Sequence, residues 1–237
     1  MFYDKDVLTA VQIHAIEQFP KESVGAVIGG KYIPLQNTHL TPELSFAAPA
    51  EAFDNAQALI HSHTDGNQAP SILDMQQQQA MDIPWGIVRT SKYECSKIEW
   101  FGNGVPIEPY LGRKFLDGIR DCWCLVRDWY IKEKGIYLAN LPREPYWYLP
   151  PPHGAGLDLL NENTIADCGF YEIDKSDLQL GDVILGKVAS PVVNHAGLYL
   201  GNGLVMHHMG SKLSCKEPLG RWERYCKFYV RHESCLK

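Results

Sequence analysis

Two sets of side chains in this 237-residue chain have the types and spacing for hydrolytic chemistry, and the two chemistries differ. The first is His61-Ser62-His63, seven further residues, then Ser71-Ile72-Leu73-Asp74. Residues two apart on a strand share a face, so His61 and His63 can aim both imidazoles at one point. A carboxylate from the next helix, Asp74, can supply a third ligand; the open fourth position then holds water, as in catalytic zinc sites. Bound Zn²⁺ lowers the pKa of that water to about 7, and a carboxylate outside the shell is needed to move the proton. The second set is Asp121-Cys122-Trp123-Cys124-Leu125-Val126, with His195 and His207 far downstream. A cysteine nucleophile acts as thiolate, and a helix N-terminus lowers its pKa through unpaired N–H groups and the helix dipole. Asp121 suits the N-cap and puts Cys122 in the first turn. A histidine must then lie within hydrogen-bond reach, oriented in turn by another polar group.

Periodicity indicates the elements that position these groups. Residues 4–18 place Leu8, Val11 and Ala15 at helical spacing, and Pro20 closes the segment. Val24–Ile28 and Lys31–Leu35 read as a hairpin around Gly29-Gly30. Residues 56–63 read as a buried strand carrying the histidines, and Pro70-Ser71 opens a polar helix through Gln79. Strands at 85–88 and 97–100 finish this half. Residues 101–109 carry two Gly and two Pro and make the linker, which sets domains of 1–102 and 107–237. The spacing then predicts a helix over 121–134, with Leu125, Val126, Trp129 and Tyr130 as its apolar face and Gly135 as its stop. Residues 137–156 are rich in Pro, Tyr and Trp without periodicity: a long excursion, either a lid or the wall of a groove. Short strands at 183–185, 196–200, 204–207 and 228–230 follow.

The length admits two domains of roughly 100 residues each. Hydrophobic content of 45% with 21% charge is that of a globular protein, and a net charge of −6 argues against nucleic acid as a partner. Met1–Asp6 carries acids and no apolar core, so no export signal is expected. No run of about 18 apolar residues predicts a membrane span. Seven cysteines, an odd number without zinc-knuckle spacing, point to free thiols in a reducing cytosol.

Over roughly residues 5–100 the first set resembles the JAMM (MPN+) metallopeptidase motif: His-x-His, a spacer, Ser-x-x-Asp, and a Glu on an upstream strand. The resemblance implies that His61, His63 and Asp74 ligate Zn²⁺, that the Ser71 hydroxyl supports the oxyanion and bound water, and that Glu22 is the general acid/base. Thr64 stands where many members carry proline. The second set resembles the NlpC/P60 cysteine peptidases. Asp-Cys-x-x-Leu-Val opens the helix, then come Leu178-Gln179-Leu180-Gly181-Asp182-Val183 and His195-Ala196-Gly197-Leu198-Tyr199-Leu200-Gly201. This implies Cys122 as nucleophile, His195 as base and His207 as its orienting partner, with the adjacent His208 leaving that last choice open. Tyr110, in Pro109-Tyr110, is implied as a further active-site hydroxyl. Cys124 stands where that family usually has glycine, either as a redox-sensitive thiol or as packing. The fold so implied is a two-domain α+β/αβ chain: an N-terminal JAMM-like α/β sandwich, then a papain-like NlpC/P60 α+β domain.

The order of the halves, with Gly112-Arg113-Lys114-Phe115 and a late Val230-Arg231-His232, resembles the K family of tail assembly proteins of lambda-like bacteriophages. That implies a hydrolase of the virion tail tip, made in the host cytoplasm, with other tail-tip proteins and peptidoglycan peptides as partners. The thiol centre would cleave stem-peptide amide bonds, and the zinc centre a peptide or isopeptide bond. The alternative is an assembly factor whose enzyme-like folds serve as docking surfaces.

Overall fold

The computed structural model describes residues 5–236 and divides the chain into two units, Met1–Pro106 and Ile107–Lys237. Asp4, at the start of the expected first helix, lies outside the described residues.

The first unit is built around Ala58–His63 (β3), a strand buried along its whole length. Val24–Ile28 (β1) lies antiparallel beside it and Trp85–Arg89 (β4) parallel on its other side. Lys31–Leu35 (β2) and Glu99–Phe101 (β5) form the edges, in the order β2-β1-β3-β4-β5. A parallel pair needs a crossover, and the one between β3 and β4 carries the helix Ile72–Met81 (α2). The helix Lys5–Gln18 (α1) packs Val7, Val11 and Ala15 onto Val27, Ala58, Ile60 and Val88. Strand alternation then turns His61 and His63 to the opposite face, where they meet Asp74 from the start of α2. A helix on each face gives an α/β sandwich, with the histidines under the N-terminus of α2.

The second unit is α+β. The helix Cys122–Trp129 (α3) continues as a wider π-helical turn over Tyr130–Lys134 and stops at Gly135. A short helix, Glu162–Asp167 (α4), precedes the strands Phe170–Ile173 (β6), Val183–Gly186 (β7), His195–Tyr199 (β8), Leu204–His207 (β9), Cys215–Pro218 (β10) and Cys226–His232 (β11). They form one antiparallel sheet in the order β10-β9-β8-β7-β11-β6. α3 packs on β8 because its apolar face, Trp123, Leu125, Val126 and Trp129, joins the core of Val183, Leu185, Ala196 and Leu198. That contact brings the start of the helix to the start of the strand.

The Gly181-Asp182 pair fastens this packing. Gly181 has φ +100, and a Cβ there would lie 2.8 Å from the Trp129 ring. Its carbonyl accepts the Tyr130 hydroxyl at 2.7 Å. Asp182 is buried and takes Arg231 Nε and Nη2, each at 2.8 Å, which ties β7 to β11. Residues 137–156 contain no regular helix or strand, yet Leu138, Arg143 and Trp147 are buried. With Leu141 and Tyr148, Arg143 and Trp147 wall a pocket beside Cys122. The excursion is therefore a wall.

Candidate catalytic centres

In the first unit, Val24 pairs with His61, so the antiparallel register carried two residues further sets Glu22 opposite His63. Ser62 on the intervening position locks that register, its Oγ accepting the Ser23 amide at 2.8 Å. His61 Nε2 and His63 Nε2 lie 3.0 Å apart, and the two oxygens of Asp74 lie 3.4 Å from them, one each. Two imidazole nitrogens and a carboxylate thus converge in a buried space. Tetrahedral zinc with bonds near 2.0–2.1 Å separates its ligand atoms by roughly 3.3–3.5 Å, so the donor set fits that ion. Burial opposes a charge on Asp74, but His61 and His63 hold its carboxyl well below the usual carboxylate range. For Glu22, burial pushes the carboxyl up to about 8, with His63, Asp74 and Asp65 as its electrostatic neighbours.

Ser71 is the N-cap of α2 and forms a capping box. Its Oγ accepts the Asp74 amide at 3.1 Å, while its amide and hydroxyl donate to Asp74 Oδ2 at 2.8 and 2.7 Å. The hydroxyl proton is committed to the carboxylate that faces the histidines, so Ser71 here aims Asp74.

In the second unit, Asp121 caps α3 by accepting the Cys124 amide at 3.0 Å, and it also takes the Gly118 amide at 2.8 Å. Cys122 follows in the first turn, with the Ala196 amide of β8 directed at its thiol. His195 opens β8, and its Nε2 lies 3.2 Å from His207 Nδ1 on β9. Gly197 permits that approach: it is the register partner of His207, and a Cβ there would lie 2.7 Å from Val205 Cγ1. Trp222 stacks on the His195 ring at 5.1 Å and meets the His207 ring edge-on at 4.2 Å. β9 ends at His207, and the next residue, His208, turns instead to the ring of Phe115. Cys122 at the start of α3 and the His195–His207 pair at the start of β8 thus belong to adjoining element ends, while the buried His208, beside Phe115, acts electrostatically on His195 and lies near Asp121.

Electrostatically, the resting groups are neutral. Burial, with Asp121 adding to it, pushes the Cys122 thiol up to about 12, against the lowering expected of a helix N-terminus. Burial likewise lowers His195 to about 3 and His207 to about 4. Ionisation of any one of these groups alone is thus disfavoured at neutral pH. With His195 Nε2–H donating to His207 Nδ1, the other His195 nitrogen, Nδ1, is left as an acceptor.

Several side chains at this centre escaped the sequence reading. Arg143, the single Lys or Arg in 137–156, is buried and donates from Nε and Nη2 to the two Asp121 oxygens at 2.7 and 2.8 Å. Against burial, it holds the Asp121 carboxyl down at about 2. Its Nη2 also lies 3.1 Å from Cys124 Sγ, so Cys124 is packed under a guanidinium. Tyr110 spends its hydroxyl on Glu133 at 2.9 Å. The tyrosine that lines the pocket with Cys122 is Tyr148. Only the isolated basic residue in an apolar stretch signalled Arg143. Nothing local signalled Trp222 or Tyr148.

The sequence pattern described as the NlpC/P60 family matches residues 107–231. Tail tip assembly protein K of Escherichia phage N15 is 31% identical over 97% of this chain and 98% of its own length. Tail tip assembly protein K of Escherichia phage lambda is 33% identical over 78% of this chain and 86% of its own. Among solved structures, the NlpC/p60 domain of peptidoglycan hydrolase SagA aligns with a TM-score of 0.35 and 16% identity, over 52% of this chain and 89% of that one. Residues 107–231 exceed half of the chain and the N15 relative spans nearly all of it, so the chain belongs to the NlpC/P60 family and, over its length, to the family of tail tip assembly protein K.

Proposed function

We propose that this is a bifunctional hydrolase of the phage tail tip, whose thiol centre cleaves amide bonds in peptidoglycan stem peptides. The observation that carries the reading is the seating of Cys122, in the first turn of α3 behind its Asp121 cap, on the start of β8, where the Ala196 amide meets its thiol and the neighbouring His195 lies 3.2 Å from His207. In the reaction, the Cys122 proton moves to His195 Nδ1 as Sγ attacks the carbonyl carbon. The C–N bond then breaks, His195 returns the proton to the leaving amine, and a thioester remains on Cys122. Water, deprotonated by His195, attacks the thioester; the S–C bond breaks and Sγ recovers the proton. His207 holds His195 in the tautomer this requires. The Cys122 amide, free at a helix N-terminus, is available to the oxyanion.

For the first unit we propose zinc-dependent hydrolysis of a peptide or isopeptide bond, with His61, His63 and Asp74 as the holding residues. When bound, the ion supplies an activated water and polarises the carbonyl. Glu22, opposite His63, would serve as the general acid/base that carries a proton to the leaving amine, and Ser71 keeps Asp74 aimed at the site.

Digestion of purified cell wall, followed by release of free amino groups, tests the thiol reading: the Cys122→Ala protein is expected to be inactive, and activity equal to the parent would overturn it. Metal analysis of the His63→Ala protein tests the other: bound zinc should fall, and unchanged content would refute the ligand assignment.

A further inference from the structure

β10 lies against β9 with Cys215 directly opposite His207, and Glu217 shares the face of Cys215 two residues on. His207 Nε2, the nitrogen pointing away from His195, lies 3.7 Å from Cys215 Sγ and 3.8 Å from Glu217 Oε2. All three donor atoms fall within 4.8 Å of one another. Glu217 is itself held: Trp222 Nε1 donates to its Oε2 at 3.0 Å. We propose that His207, Cys215 and Glu217 form a binding site for a thiophilic divalent cation, zinc foremost, and that its occupation switches the thiol centre off. The switching half of this inference rests on the Cys122–His195–His207 reading above.

The donor set is the argument for the ion. Imidazole, thiolate and carboxylate together are what zinc takes, and tetrahedral bonds of about 2.0–2.1 Å to N and O and 2.3 Å to S set the N···S and N···O separations near 3.4–3.6 Å. The two separations from His207 need close by only a few tenths of an ångström, the thiol and carboxylate then swinging together from within 4.8 Å, and the half-buried Cys215 and Glu217 leave a fourth position open to water. Thiolate and carboxylate together neutralise the cation. Lys212, Arg221 and Arg224 line the same groove. Their field disfavours a hard cation held by charge alone, such as Ca²⁺ or Mg²⁺, and leaves a metal held by thiolate and imidazole bonds.

Proton placement is the argument for the switch. Catalysis needs His195 protonated on Nε2 and bare on Nδ1, so His207 must be bare on Nδ1 and protonated on Nε2. A metal on His207 Nε2 displaces that proton, and the neutral ring then carries its proton on Nδ1, facing His195. His195 must accept there on Nε2 and hold its own proton on Nδ1, the nitrogen needed by Cys122. The base is lost without any backbone movement. The net release is one proton, that of the Cys215 thiol.

The full-length chain and Co²⁺ test this. Thiolate-bound Co²⁺ gives a near-ultraviolet charge-transfer band, and the His61–His63–Asp74 set, having no sulfur, cannot produce one. The Cys122→Ala protein should show the band, and adding Cys215→Ser should abolish it. No band in Cys122→Ala, or a band that survives Cys215→Ser, overturns the site. For the switch, cell-wall digestion is read as the ratio of rates with and without added Zn²⁺, so that basal differences cancel. The parent should be inhibited reversibly, and Cys215→Ser should need at least 10-fold more zinc. Equal sensitivity would place the inhibitory ion on Cys122 itself and refute the switch. A parent protein inert without zinc would refute the peptidase reading and the switch with it, while the cobalt spectrum still decides the site.

Discussion

Replacing Arg143 by methionine isolates the buried charge beneath the thiol centre. Arg143 and Asp121 are both nearly inaccessible, and their side chains meet through two N–H···O contacts of 2.7 and 2.8 Å. Removing one partner of such a pair strands the other charge, at about 3–5 kcal/mol. The same contact, with the Cys124 and Gly118 amides and against burial, takes the Asp121 carboxyl from 3.8 to about 2. That displacement corresponds to about 2.5 kcal/mol of native-state stability at neutral pH. Because the folded pKa is the lower one, this contribution is complete above about pH 4 and is lost as pH falls towards 2. Arg143→Met should therefore destabilise the Ile107–Lys237 unit by at least about 2.5 kcal/mol at pH 7, and it should remove the Asp121 share of the acid-side decline. Asp121→Asn keeps an acceptor for the Cys124 amide while deleting the charge, so the double variant should recover more than about 1 kcal/mol of the loss. Native-state hydrogen exchange at the α3 and β8 amides reads this unit separately from the other. A loss below about 1 kcal/mol for Arg143→Met, or no recovery in the double variant, would refute the reasoning.

Three further outcomes follow from the same geometry. Gly197→Ala puts a Cβ into Val205 and shifts the β8–β9 contact, and a displacement of about 1 Å costs on the order of 100-fold in turnover; cell-wall digestion at near-parental activity, with the fold retained by circular dichroism, would count against His207 as the orienting group. His207→Ala should lower kcat about 10²–10⁴-fold, whereas His208→Asn should retain activity per folded molecule; the reverse order would reassign the pair. Ser71→Ala should cost about 1 kcal/mol through the lost cap and weaken zinc binding roughly 10–100-fold through the freed Asp74, as measured by chelator competition; unchanged affinity would leave Ser71 as a cap only.

What was legible in the sequence was whatever is encoded locally. β3 reads as a strand because its burial is continuous from Ala58 to His63, and the His-x-His spacing needs only the strand period to put both imidazoles on one face. α2 announces itself through Ser71 and Asp74, which satisfy each other's backbone within four residues. α3 is legible through Asp121 at its start and Gly135 at its end, although its last turn widens into a π-helix that no spacing rule marks. β10 was missed for a physical reason. It is an edge strand reading Cys-Lys-Glu-Pro, half-buried and exposed by turns, so it carries no apolar alternation to betray it.

The illegible part of the site is that made by long-range encounters. The Gly181-Asp182 and Val230-Arg231-His232 segments could be picked out as motif, but only the fold explains them. Gly181 makes room for Trp129, and Asp182 receives Arg231 from 49 residues away. Such positions carry no chemistry; they hold β7, β11 and α3 in the arrangement that sets the N-terminus of α3 against the start of β8. Arg143 belongs to the same class from the other direction. It comes from a stretch without periodicity, and its meaning appears only where it meets Asp121, 22 residues back in the chain. The residue preceding the nucleophile is thus at once a helix cap and half of a buried ion pair. Its charge is committed within the protein, and the pocket beside Cys122 is walled by Asp117, Leu141, Tyr148 and Asn194. In that pocket, burial and the nearby Asp121 carboxylate push the Asp117 carboxyl up to about 6.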